Sequence, residues 1–342
     1  MSALADRPHF DLSPARRSPP AGLASAAFRR AYLVTMRPYL CFVSGAAGLV
    51  GLALAPAITP GALGAAFAAL FLPYGLGQAL TDVFQTDTDA LSSPYRPLTQ
   101  GAIRKRHVVL VSLLGLGLCG AVLGALNAWT LPLSALGVAG LASYSYFKRR
   151  WWAGPAWNSW VVALLPAIGY LCGGARPEAL LRSGDVLPAA LSVFFSYAVF
   201  VLLGYFKDVS ADRATGYRTL PVVAGPYAAA AASAVFALGA VIASVTLLGR
   251  LFVAWGPTDL HFLAAAALWL AGVAAIAGAH PFILLLGDEH ESHRAIVWTV
   301  RGFVWLHTGE AAFARPSLAL PGLLFCVLAE WALRVRPERS QV

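Results

Sequence analysis

Nine mainly apolar stretches of roughly twenty residues follow one another along the chain, near 34–56, 61–81, 107–126, 129–147, 156–174, 187–206, 225–248, 262–286 and 317–334. About twenty residues is the length an α-helix needs to cross the hydrocarbon layer. The pattern predicts an all-α, multispanning membrane bundle of about nine transmembrane helices. A further stretch, 293–313 (HRAIVWTVRGFVWLHTGEAAF), is apolar but carries His, Arg and Glu. Its mixture predicts an interfacial or partly buried helix rather than a tenth span. Residues 1–30 are rich in Pro, Ala, Ser and Arg and have no apolar run, so they read as a flexible basic tail. Residues 31–335 then form one membrane-embedded domain. Small residues at helical spacing, such as Gly45, Gly48 and Gly51, suit close helix–helix contact in lipid.

Composition excludes a soluble protein: 58% of the 342 residues are hydrophobic and 12% charged, about half the charged fraction of soluble domains. The net charge of +9 needs no nucleic-acid partner, because basic loops set topology by the positive-inside rule. Loops 82–106, 148–155 and 207–224 carry most of the Arg and Lys, as does the tail with Arg16, Arg17, Arg29 and Arg30. This predicts all of them cytoplasmic. We expect a multi-pass protein of a bacterial inner membrane whose active site faces the cytoplasm. Nine spans, however, leave the basic C-terminus (Arg334, Arg336, Arg339) on the other side, against the same rule. The four cysteines, Cys41, Cys119, Cys172 and Cys326, lie far apart in apolar stretches and read as small core residues.

Two polar segments break the apolar pattern. In TDVFQTDTDALSSPYRPLTQG (81–101), Asp82 and Asp89 are seven residues apart and share a helix face with Gln85, while Asp87 points away from it. In GYFKDVSADRATGYRTLP (204–221), Asp208 and Asp212 are four apart, again on one face. Four spans separate the segments, which suggests two halves of similar plan, about 31–150 and 151–285, followed by C-terminal helices. Carboxylates at membrane-buried helix ends are costly and mark function. Four acids repel one another unless cations lie between them, and hard oxygen ligands favour Mg²⁺ completed by phosphate oxygens. Arg96, Lys148 and Arg149 would meet the same phosphates. The pattern predicts a diphosphate held by Mg²⁺. DEHESH (288–293) places two histidines three apart among acids, but it lacks a third committed ligand and reads as a polar loop rather than a metal site.

These residues resemble the UbiA-type intramembrane prenyltransferases. TDVFQTDTDALSSPYRPLTQGAI is similar to their first acidic signature and the PxRPLxxG run after it. KDVSADRATGYRTLPVVAG is similar to their second, SYFKRRWWAGPAWNSW to their middle polar segment, and TMRPYL to their first-span Arg-Pro. The resemblance implies a helical bundle around a central cavity open to lipid. It also implies transfer of a prenyl group from an allylic prenyl diphosphate, with Mg²⁺, to an aromatic or other hydrophobic acceptor. By position, Asp82, Asp89, Asp208 and Asp212 would hold Mg²⁺, Lys148, Arg96 and Arg37 would contact diphosphate, and Asn158 would line the pocket. The sequence departs from the family pattern in two places: Thr81 stands for its Asn and Gln85 for its middle Asp. Gln85 adds a carbonyl ligand but no charge, and Asp87 would compensate if the helix unwound there.

An allylic cation needs an apolar, water-poor cavity with aromatic faces. Tyr205 and Tyr146 are the first candidates for that role, ahead of Tyr144, Trp157, Trp160 and Tyr197. Transfer is the leading reading. The altered Thr81 and Gln85 keep a second open, a terpene cyclase of the same fold that needs no acceptor. Acids at span ends beside basic loops argue against an ion-coupled transporter.

Overall fold

The computed structural model describes residues 19–251, 260–338 and 341, and within them the chain is helical without strands. The helices are α1 (Ala26–Met36), α2 (Cys41–Leu54), α3 (Pro60–Phe71), α4 (Pro73–Asp82), α5 (Thr86–Ser92), α6 (Lys105–Leu126), α7 (Thr130–Arg150) and α8 (Gly154–Leu171). They continue as α9 (Pro177–Arg182), α10 (Val186–Gly204), α11 (Val209–Ala214), α12 (Leu220–Leu251), α13 (Leu260–Leu286), α14 (His293–Ala314) and α15 (Ala319–Arg334). Seven continuous or nearly continuous helical segments among the described residues are long and apolar enough to cross a membrane. The flexible-tail expectation falls largely on residues 1–18, which together with Arg339 lie outside the described residues.

Proline punctuates the paths. Pro60 and Pro73 open α3 and α4, where the missing N–H costs nothing. In α12 the helix breaks at Gly225 (φ 82°, ψ 170°) immediately before Pro226, a backbone state that glycine reaches without strain. The small-residue stripe of α2 lies against α8: a Cβ on Gly51 would come within 2.0 Å of the Pro166 carbonyl oxygen. Only a missing side chain permits that approach, as expected where helices pack in lipid. The four cysteines are free and buried.

The stretch 293–313, expected as an interfacial or partly buried helix, forms α14 and is buried within the bundle. Helix α14 is buried along nearly its whole length and packs against α2, α10, α13 and α15. It begins after loop 287–292, whose Glu289 touches Ser210 in the second acidic segment. It ends at Arg315, which donates to the Ala55 carbonyl at the opposite end of α2. Twenty-two residues at about 1.5 Å each cover the hydrocarbon thickness. Helix α15 then returns, so that Gln341 Nε2 donates to the Val34 carbonyl at 3.2 Å and Tyr39 donates to the Gln341 carbonyl at 2.5 Å. This path brings Arg334 and Arg336 to the same end of the bundle as the acidic segments.

The polar residues of α14 explain how it stays inside. Arg301 forks onto Glu330 of α15 at 2.8 and 2.6 Å. Glu310, wholly buried, accepts from Ser192 of α10 at 2.6 Å and Ser244 of α12 at 2.5 Å, and lies 2.7 Å from His307 Nδ1. His307 Nε2 in turn meets Ser196, and Trp269 of α13 donates to Ser244. Four helices are thereby joined through one carboxylate, with every partner satisfied as burial demands. Glu310→Ala is expected to destabilise the detergent-solubilised protein by about 3 kcal/mol, because it orphans this set. Glu310→Gln should cost less, and denaturant unfolding followed by tryptophan fluorescence measures both.

Candidate functional site

The first acidic segment is built at the end of α4. Asp82, 3% exposed, closes that helix and accepts from Arg37 Nη2 at 2.6 Å and from Gln78 Nε2 at 2.8 Å. Arg37 reaches it from the break between α1 and α2, where its backbone is left-handed (φ 52°), the only non-glycine residue in that region among those described. Such a conformation is held at a cost and clusters at functional positions. The chain then turns into the short helix α5, which carries Asp89 to Arg96, 2.5 Å away. Burial pushes the Asp89 carboxyl above its usual range, and Arg96 counters this only in part.

The second segment repeats the design. After α10 a single tight turn, Tyr205–Asp208, leads into α11. Asp208 occupies the cap position of α11 and Asp212 lies four residues on. Gln85 occupies the cap position of α5 and Asp89 lies four residues on. The two cap residues share nearly the same backbone, φ −119° and ψ 16° for Gln85 against φ −122° and ψ 12° for Asp208, and neither side chain caps its own helix. Gln85 is therefore the counterpart of Asp208. Its amide donates to Ser145 at 3.2 Å and accepts from Lys148 at 3.4 Å. Lys148 is buried at the end of α7, 3.5 Å from Asp212 Oδ1, with its ammonium over the rings of Tyr205 and Tyr217.

A cavity runs inward from these groups. Arg37, Asp82, Gln85, Asp89, Arg96, Lys148, Asn158, Tyr205 and Asp208 all line it, and Asp212 stands just behind Lys148. Asn158 donates to Tyr197, which donates to Tyr74, and Tyr144 shares a 2.9 Å hydrogen bond with Tyr205. Below this ring the walls are apolar, with Leu116, Cys119 and Leu123 on α6, Leu133 and Leu141 on α7, and Ile168 on α8.

Two expected residues lie elsewhere. Tyr146 is 56% exposed on the far face of α7, under Arg150, because it is two residues, about 200°, around the helix from Tyr144 and Lys148. Arg149 also points away from the cavity. It binds Asp87 at 2.8 Å and the Phe84 carbonyl at 2.9 Å on the rim, over the Tyr217 ring. Partial burial disfavours ionisation of Asp87, yet the Arg149 hydrogen bond holds its carboxyl below the usual range. Asp87 is thus engaged at the rim and does not stand in for Gln85. Three lining or supporting residues escaped the sequence reading: Gln78 on Asp82, Lys207 in the wall, and Thr219, which donates to Asp212 at 3.2 Å. Spacing held a signal for the first two, since Gln78 is one turn before Asp82 and Lys207 adjoins Asp208.

The donors present are hard oxygens, which suit Mg²⁺. No three acidic, His or Cys side chains among the described residues converge as a closed ligand cage. Among the buried atoms without hydrogen-bond partners are the Nε donors of Arg37 and Arg96, whereas Asp212 Oδ1 has the Lys148 ammonium 3.5 Å away. Unsatisfied guanidinium donors on two residues of the cavity wall, beside buried carboxylates, fit an anion that arrives with a cation. That is the arrangement in which a small cation takes a few carboxylates and fills its shell from phosphate oxygens and water.

Comparison with known proteins places the chain among relatives of known family and fold. The model of the UbiA prenyltransferase family matches residues 42–292. Digeranylgeranylglyceryl phosphate synthase of Halobacterium salinarum is 34% identical over 211 residues, which is 61% of this chain and 74% of that protein. The protein of the same name from Methanopyrus kandleri is 30% identical over 255 residues, covering 73% of this chain and 90% of the relative. Among solved structures, the apo UbiA homologue from Aeropyrum pernix K1 superposes with TM-score 0.66 at 21% identity, over 79% of this chain and 96% of that one. A UbiA homologue from Archaeoglobus fulgidus bound to GPP and Mg²⁺ gives TM-score 0.55 at 17% identity, over 90% and 100% of the two chains.

The burial of these charges sets an expectation for stability. Lys148→Met leaves Asp212 without its cation and should lower stability by about 3 kcal/mol. Arg149→Ala, which breaks a half-exposed rim pair, should lower it by less than about 1 kcal/mol. Parallel denaturant titrations in detergent separate the two, and equal losses would contradict the assignment of Lys148 to the buried cluster.

Proposed function

This chain belongs to the UbiA prenyltransferase family and is a multi-pass membrane prenyltransferase, and we propose that it transfers a long prenyl group from its diphosphate to a glyceryl-phosphate lipid acceptor. The observation that carries the transfer chemistry is the single cavity in which basic and acidic side chains at one end meet an apolar tunnel at the other. The relatives named digeranylgeranylglyceryl phosphate synthase support the acceptor, in preference to an aromatic one. Transfer to such an acceptor is also favoured over acceptor-free cyclisation. The position of the basic loops supports a cytoplasm-facing site, and the repeat of Gln85/Asp89 in Asp208/Asp212 supports two halves of similar plan.

In this reading Asp82, Asp89, Asp208 and Asp212, with the Gln85 carbonyl, would hold Mg²⁺ together with phosphate oxygens. When bound, the ion would neutralise charge on the departing diphosphate. Arg37, Arg96, Lys148 and Lys207 bind the diphosphate oxygens, and their fixed charges oppose the negative charge that builds as the allylic C–O bond breaks. The electron pair of that bond leaves with the diphosphate. The allylic cation is left among the rings of Tyr144, Tyr197 and Tyr205, whose faces attract it and whose apolar surroundings exclude water. Attack by the acceptor hydroxyl forms the new C–O bond, and its proton is lost to the diphosphate or to solvent at the cavity mouth. Asn158 orients Tyr197 through their hydrogen bond.

The length of the tunnel supports a long prenyl chain. Lining residues on α7 run from Lys148 to Leu133, fifteen positions or about 22 Å of helix, which accommodates a geranylgeranyl chain. Gly120 lies in the tunnel wall, and a Cβ added there would meet no atom within 4 Å. Membranes containing the protein, Mg²⁺ and a glyceryl-phosphate acceptor should consume geranylgeranyl diphosphate in preference to geranyl diphosphate. Gly120→Phe should reverse that preference by about tenfold or more, through loss of apolar burial. Hydrocarbon products formed without acceptor would overturn the transfer reading.

Gln85 offers a sharper probe. Gln85→Asp restores the carboxylate that its counterpart Asp208 carries, so Mg²⁺ should activate the variant at a concentration equal to or lower than the parent requires. A raised Mg²⁺ requirement in a magnesium titration of initial rates would show that Gln85 does not face the ion.

A further inference from the structure

Glu289, in the loop 287–292 between α13 and α14, is used by nothing described so far. Its carboxylate accepts from the Ser210 backbone N–H at 3.0 Å to Oε1 and 3.1 Å to Oε2, and from Ser210 Oγ at 2.8 Å. Gly287, with φ 62°, turns the chain out of α13 so that Glu289 can reach across. Ser210 is the second residue of α11, the helix whose cap position is Asp208.

An aspartate in a cap position ordinarily folds its side chain onto the N–H of the second or third helical residue. Asp208 makes no such bond and instead lines the cavity. The second-residue N–H that it would take is occupied by Glu289, which also places its negative charge at the positive end of the short helix. We propose that Glu289 is a positioning residue: by capping α11 from a distant loop, it frees the Asp208 carboxylate to stay in the cavity. Without Glu289, the exposed N–H groups of α11 draw Asp208 back onto its own helix, and the acidic cluster loses a member while the fold remains.

The inference rests on the reading of Asp208 as a Mg²⁺ ligand. In Glu289→Ala, the Mg²⁺ concentration for half-maximal prenyl transfer should rise about fivefold, the size of one lost cap, with kcat at saturating Mg²⁺ within about twofold of the parent. Glu289→Gln keeps an acceptor oxygen for Ser210 and should restore the parent Mg²⁺ dependence. Independently of turnover, hydrogen exchange should quicken at 208–214 in Glu289→Ala and stay unchanged at 82–92. An unaltered Mg²⁺ requirement in Glu289→Ala, an equal defect in Glu289→Gln, or unaltered exchange at 208–214 would each overturn the proposal. Should Glu289→Ala not fold, Ser210→Ala, which removes only the hydroxyl bond, should shift the same quantities in the same direction by a smaller amount. Absence of prenyl transfer by the parent protein would count against the proposed function, whereas the exchange measurement would still decide the role of Glu289.

Discussion

Charge compensation inside an apolar bundle is the constraint on which this structure depends. Asp82, Asp89, Asp208 and Asp212 are each 9% exposed or less, where an uncompensated carboxylate costs several kcal/mol. Arg37 and Arg96 approach the first pair and Lys148 the second, and Lys207 stands beside Asp208. These cations come from the α1–α2 break, the loop after α5, the end of α7 and the turn after α10. Helices far apart in sequence are thereby drawn to one end of one cavity. The left-handed backbone of Arg37 is part of the same requirement, since it aims the guanidinium at Asp82.

The compensation is asymmetric. Gln85 and Asp208 hold equivalent cap positions with almost identical dihedrals, yet one is neutral and the other charged. Lys148 sits between the halves, bonded to Gln85 and paired with Asp212. A second carboxylate at residue 85 would compete with Asp212 for that lysine. The neutral amide leaves the charge of Lys148 to the second half while keeping an oxygen directed at the same space.

The acidic clusters were legible from local spacing, although not along one helix face: Asp82 closes α4 while Asp89 rides on α5, and the two meet across the break at Arg96. The all-helical membrane bundle followed from apolar run length alone. Tyr146 was misjudged against Tyr205 because the boundaries of α7 do not reveal which of its faces meets α8 and α4. The depth of burial of α14 was hidden for a related reason. Arg301, His307 and Glu310 look unsuited to a membrane core until Glu330, Ser192 and Ser244 are known to face them, and these partners lie between 29 and 118 residues away. Glu289 was legible only as part of a polar loop, since its contact with Ser210 bridges 79 residues.

That internal polarity of α14 bears on how the protein is made. A helix carrying an arginine, a histidine and a glutamate is a poor substrate for release into lipid, because each central charge costs about 2.5–3.5 kcal/mol during insertion. Its counterparts on α10, α12 and α13 are synthesised earlier, while Glu330 on α15 follows it. The partners of α14 thus lie on both sides of it in the order of synthesis, and Arg301 gains its compensating carboxylate only once Glu330 of α15 has been made.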